Sequence, residues 1–284
     1  MTIFDCCMFL NENDLYEIRL NQHWDFVDKF IVVEAGETHT GLKKPLNFDH
    51  KRFEKYASKI EYRSFDSFDE AMKAHPELLD QHAISERGAN QVSADWTRDH
   101  FQYNYIYKVL QDLGAKDEDI IYISCCDEIL GRDAFDSCAD VLVNHDPKAI
   151  FMFHFYLYAY KFNLLCQDWS QHISANLLRF STLKNMLPAT MRNKYVCTHR
   201  IQNAGWHFTF LDNTDGEMVL EKQRSWAHSK DEYAGKKLKF ENKTKEEAMA
   251  RFFEDYNLTQ VEIKEGTHPK YILDNLDKFK NFIY

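Results

Sequence analysis

The segment Ile120-Ile121-Tyr122-Ile123-Ser124-Cys125-Cys126-Asp127-Glu128-Ile129 carries the clearest chemical signal in the chain. A continuous apolar run of this kind predicts a buried strand, and two adjacent carboxylates leave its end. Carboxylates there could hold a divalent cation and so neutralise a diphosphate leaving group. They could equally open a solvated turn in which Asp127 or Glu128 pairs with Arg132. The second signal is Gly205-Trp206-His207-Phe208. Gly205 permits close backbone approach, Trp206 offers a ring for stacking on a sugar, and His207 can ligate a metal or bond a phosphate. A histidine among apolar neighbours can also be an ordinary core residue. His228 is a further possible ligand, and His154, within Phe153-His154-Phe155-Tyr156, is placed on the acceptor side of the core.

The elements that must position these groups alternate along the first half. Strands are predicted over Ile3–Leu10, Phe26–Ala35, Lys59–Arg63 and Asp119–Ser124, and helices over Glu12–Asn21, Phe48–Ser58 and Trp96–Leu113, the last ended by Gly114. Such alternation implies a mainly parallel sheet covered on both faces, with ligands beyond the carboxyl ends of its strands. Glu34, the loop Gly36–Pro45 with Lys43 and Lys44, and Asp127 then share one rim. Arg98 and Gln102 lie four apart on a predicted helix and share a face that could meet a uracil or a diphosphate. Residues 66–95 form a polar excursion over that rim. From Ala149 onward the strands are more aromatic, with closing helices at Lys245–Tyr256 and Tyr271–Phe282. No repeat or linker divides the chain, which reads as one domain, 1–284, with halves 1–148 and 149–284.

The bulk numbers narrow the class. At 284 residues and 44% hydrophobic the chain can bury a sizeable core. A net charge of −10 argues against a nucleic-acid partner, which needs a basic face. The seven cysteines include no CxxC spacing, so they read as reduced, buried thiols in a cytoplasmic protein. The N-terminus has no signal-peptide pattern, and no window approaches the ~18 apolar residues of a membrane span.

Several blocks together resemble glycosyltransferase family 17, the family of the bisecting β-1,4-N-acetylglucosaminyltransferase. They are Ile3–Glu12 with Leu15–Arg19, Val27–Ala35, Thr38–Leu46, the Ser124–Ile129 turn, Ala204–Phe208 and Pro269–Leu273. Residues 66–95 and 167–194 match poorly.

The resemblance implies an α/β fold of the GT-A kind: a single domain with a mainly parallel central sheet flanked by helices and a mixed, aromatic-rich C-terminal half. It implies inverting transfer of a sugar, N-acetylglucosamine first, from a UDP-sugar to a glycan or glycolipid hydroxyl. The half 1–148 would bind the nucleotide-sugar and 149–284 the acceptor. Donor contacts would fall on Glu34, Lys44, Arg98, Gln102, Cys125 and Asp127, and acceptor contacts on Trp206 and His154. Mn²⁺ or Mg²⁺ would sit on Asp127 and His207. Asp215 and Asp168 are candidates for the base, with Asp212 and Glu217 as alternatives. One departure matters: the family's turn usually carries Asp-x-Asp, and here Cys125 stands at the first acid, where Glu128 could compensate. A degenerate member that binds glycan or nucleotide without catalysis is the alternative reading. A metal-dependent phosphoesterase ranks last, because the clustered His and Asp of a two-metal centre are missing.

Overall fold

The computed structural model describes residues 1–79, 94–167, 172–227, 232–233, 236–237 and 244–284. Its frame is a sheet of four parallel strands: β1 (Ile3–Phe9), β2 (Lys29–Ala35), β3 (Ile60–Phe65) and β4 (Ile120–Cys125). They lie in the order β3-β2-β1-β4. β1, β2 and β4 are largely apolar on both faces because both faces are covered, whereas the edge strand β3 is half-exposed. On β1, Phe4 and Cys6 turn to α3 (Ala94–Asp112), where Tyr103, Ile106, Val109 and Leu110 receive them. Cys7 and Phe9 turn the other way, onto Leu15, Tyr16, Ile18 and Leu20 of α1 (Asn13–His23).

Beyond β4 the sheet becomes mixed. The strand β5 (Glu128–Leu130) follows β4 after two residues, and α4 (Arg132–Asp140) follows β5. The long β6 (Ile150–Ala159) runs antiparallel to β7 (Leu164–Cys166) and to β8 (His172–Arg179), which pairs with β4. It runs parallel to β9 (His199–Ile201) and β10 (Gly205–Thr209), and β10 also pairs antiparallel with β5. The expected α/β architecture with a parallel half and a mixed, aromatic-rich half is therefore present. Hydrogen-bonded pairing runs without a break from β3 across to the strand Leu258–Gln260.

Two expectations change. Residues 48–58 form turns and one short helical turn, Glu54–Tyr56, because Phe48 packs on Tyr62 and Phe53 instead of following a helical face. The C-terminal segment is broken into Lys270–Leu273 and Lys280–Phe282. Of the polar excursion, α2 (Phe68–Ala74) and a turn at Pro76–Leu78 are described, and residues 80–93 lie outside the described residues. Among the described residues no helix is long and apolar enough to cross a membrane.

Candidate active site

The site grows from the two-residue turn between β4 and β5. Cys125 ends β4, and Asp127 and Glu128 follow, buried at 5% and 0% exposure. Buried carboxylates need partners, and each finds a cation. The Lys222 ammonium, on α6 (Glu217–Ser225), donates to Asp127 Oδ2 at 2.9 Å, and His207 Nε2 lies 3.4 Å from the same oxygen. The Arg192 guanidinium, on α5 (Pro188–Asn193), stands 3.7 Å from Glu128 Oε1, while Glu128 Oε2 accepts the Cys125 N–H at 2.8 Å. Burial alone would raise the Asp127 pKa, but Lys222 and His207 outweigh it and hold the carboxyl well below its ordinary range. The Cys125 thiol moves the other way: burial, with Glu128, Asp127 and Asp99 nearby, pushes it well above its usual value against Arg192.

The turn is held from behind by residues that neither sequence signal included. Asp5, in the middle of apolar β1, is a buried acid that demands a cation, and α1 supplies Arg19. Arg19 Nε reaches both Asp5 oxygens at 3.0 and 3.1 Å, and a third, very short contact joins Nη2 to Asp5. Its remaining donors reach the Cys125 carbonyl at 2.7 Å, the Glu128 carbonyl at 2.9 Å and Ser124 Oγ at 2.8 Å. His23 bridges Asp5 Oδ2 and the Leu130 carbonyl at 2.6 and 2.9 Å. A charged residue inside a strand such as Ile3–Phe9 was the readable clue.

The other candidates fall into distinct places. Glu34 is fully buried and its carboxylate is spent on its own loop: it accepts from Lys44 Nζ at 2.6 Å, Asn47 N–H at 2.6 Å, Phe48 N–H at 3.2 Å and Tyr62 Oη at 2.8 Å. Lys43 is exposed. Gln102 donates to the Val33 carbonyl at 2.9 Å and meets His39 Nε2 at 2.8 Å, and Arg98 donates to the His39 carbonyl at 3.1 Å. Those two residues pin the Thr38–Thr40 loop on α3. Asp99, on the same helix, pairs with His39 at 3.6 Å and acts electrostatically on both Cys125 and Arg192.

The structure brings His207 to Asp127 but not Trp206. Consecutive strand residues point to opposite faces, and Trp206 faces the α1 side. There its indole N–H donates to the Thr267 carbonyl at 2.8 Å. With Tyr156, its cross-strand neighbour, it lines an open cavity of about 550 Å³ bounded by Arg132, Asn203 and Lys270. His154 sits mid-strand in β6, its pKa lowered by burial and by Arg200, and its Nε2 has no partner among the described residues. Asp215 is 93% exposed and pairs with Lys245, and Glu217 faces the same lysine. Asp212 is buried and accepts the N–H groups of Thr214 and Val219, which anchors the start of α6. Asp168 and His228 lie outside the described residues.

The Cys125 sulfur and carboxylate oxygens of Asp127 and Glu128 all lie within 4.8 Å of one another, so these three could hold a metal ion. Their chemistry suits Mn²⁺ or Mg²⁺ poorly. A hard cation takes oxygen ligands in preference to a thiol. Of the oxygens present, Asp127 Oδ2 is already bonded by Lys222 and Glu128 Oε2 by a backbone N–H.

Fold and site together define an α/β protein that gathers acids and cations at the carboxyl edge of parallel strands, where α/β enzymes bind their ligands. Residues 1–283 match the family model described as Glycosyltransferase family 17. The chain belongs to that family and is a glycosyltransferase. No curated protein matched the chain.

Proposed function

We infer that this chain moves a sugar from UDP, with N-acetylglucosamine as the sugar, to a hydroxyl of a glycan, inverting the anomeric centre. The observation that supports it is the convergence of Asp127, His207, Lys222 and Arg192 on the β4–β5 turn, in a chain of the shown family. A transferase needs three things there: a place for the diphosphate, an in-line path to the anomeric carbon, and a carboxylate to take the acceptor's proton. The cationic groups supply the first. For the third, Asp99 is better placed than Asp215, because it stands among the site's charges while Asp215 is turned to solvent. In the reaction the acceptor oxygen bonds to the anomeric carbon and its proton passes to the base. The bond from that carbon to the β-phosphate oxygen breaks, and its electron pair leaves with UDP.

In this reading residues 1–148 carry the donor, and 149–284 carry the acceptor, with the Trp206 and Tyr156 rings lining a cavity fit for outer sugar units. The second reading, a binder without catalysis, draws on Cys125 at the acid position. Calorimetric titration with UDP, GDP, CDP and ADP separates the readings from a protein with no nucleotide site. Selective UDP binding is expected, and a chain that binds none of the four contradicts the donor assignment.

A further inference from the structure

We propose that Lys222 and Arg192 bind the donor's diphosphate directly, so that this enzyme engages its nucleotide without a divalent cation. The inference rests on the UDP-sugar reading and deepens it by naming the groups that take up the leaving-group charge.

Two cations on separate helices converge on one turn. Lys222 reaches Asp127 at 2.9 Å and Arg192 approaches Glu128 at 3.7 Å. Each is pre-positioned by an aromatic ring beneath it, Phe210 at 5.2 Å under Lys222 and Tyr103 at 5.2 Å under Arg192. Each also keeps 22% of its side chain open to solvent. An ammonium has three donors and a guanidinium five, in a fork that matches phosphate oxygens. Pairing with a carboxylate orients these groups and leaves donors to spare.

The ligand set points the same way. Asp127 and Glu128 are each matched by a cation, Lys222 and Arg192, on which Glu12 and Asp99 also act, and Cys125 adds no carboxylate. A divalent cation on Asp127 would have to displace Lys222 from Oδ2 or sit beside its ammonium, where like charges repel. An acid at position 125 would add the oxygen ligand that a hard cation prefers; a thiol does not. Lys222 and Arg192 then donate to the β-phosphate oxygens as the anomeric C–O bond breaks, and no other co-reactant is needed.

The test is calorimetric titration of UDP into the full chain, once with EDTA and once with Mn²⁺. Equal affinity in the two buffers is expected. Lys222→Met and Arg192→Met should each weaken UDP by about tenfold or more, the loss of one charge-assisted hydrogen bond. Lys222→Arg, which keeps the charge, should retain most of the affinity and guards against a folding artefact. Cys125→Asp should gain Mn²⁺ binding, read as loss of the free-ion paramagnetic resonance signal, where the wild type leaves that signal intact. UDP binding that requires Mn²⁺ in the wild type, or that survives both Met substitutions, overturns the inference while the transferase reading stands. Failure to bind UDP in either buffer overturns both.

Discussion

Arg19 Nη1 lies 2.7 Å from the Cys125 carbonyl and 2.9 Å from the Glu128 carbonyl, so one guanidinium ties both ends of the acidic turn. Its charge is balanced by Asp5 on the neighbouring strand, fully shielded from solvent. Removing one member leaves the other charged and buried, at a cost of about 3–5 kcal/mol. Arg19→Met is therefore expected to lower the urea midpoint sharply. The double variant Asp5→Leu/Arg19→Met should recover part of the loss, because no stranded charge remains. Equal losses in the single and double variants would contradict this account.

Gly205 sets the crossing of β10 against β5. A Cβ at this position, where φ is +153°, would fall 2.2 Å from the Ile129 carbonyl oxygen and 2.8 Å from Gly131 N. Both are backbone atoms that cannot swing aside. Gly205→Ala should cost at least ~1–3 kcal/mol in thermal unfolding and move His207 off Asp127. Unchanged stability would show that the strands approach less closely.

Glu17 gives the pH dependence its sign. Burial would raise its pKa, but hydrogen bonds from Lys278, Tyr271 and Arg52 bring it from 4.5 down to about 2. A carboxyl depressed on folding stabilises above its unfolded value, and that contribution fades as pH falls through the folded value. The clamp from α1 to the C-terminal segment should therefore weaken between pH 4.5 and about 2. Glu17→Gln should be less stable than wild type at pH 7, and the gap should narrow on acidification. A constant gap across that window would argue against the clamp.

If Asp99 takes the acceptor's proton, Asp99→Asn should lower kcat by about 10²–10⁴ and leave UDP affinity nearly unchanged. The acid limb of the pH–rate profile should also disappear. A variant that loses UDP binding in proportion to kcat would instead assign Asp99 to donor binding.

The parallel frame was legible because three of its four strands, β1, β2 and β4, are buried on both faces. Phe30-Ile31-Val32-Val33 and Ile120–Ile123 have no polar alternation to mislead, and Gly114, at φ +71°, ends α3 where a helix C-cap is expected. Residues 48–58 and 271–282 misled because apolar residues at near-helical spacing are also what a chain uses to pin irregular turns. Phe48 stacks at 4.7 Å on Tyr62, and Phe279 and Phe282 pack on Phe162. Within the site, Asp127 and His207 were readable from local pattern and do meet. Lys222 and Arg192 were not, since each sits on a short helix whose local pattern does not single it out, and only the fold carries it across 95 or 64 residues to its acid. Trp206 shows the limit of reading by adjacency: its neighbour His207 joins the site, and the strand's two-residue period sends Trp206 to the other face.

The most direct test of the central claim is a crystal structure of the chain with UDP bound in EDTA. The account predicts the nucleotide at the carboxyl edge of β1, β2 and β4, with β-phosphate oxygens within hydrogen-bond distance of Lys222 and Arg192. UDP lodged elsewhere, or a diphosphate that contacts neither cation, would contradict it.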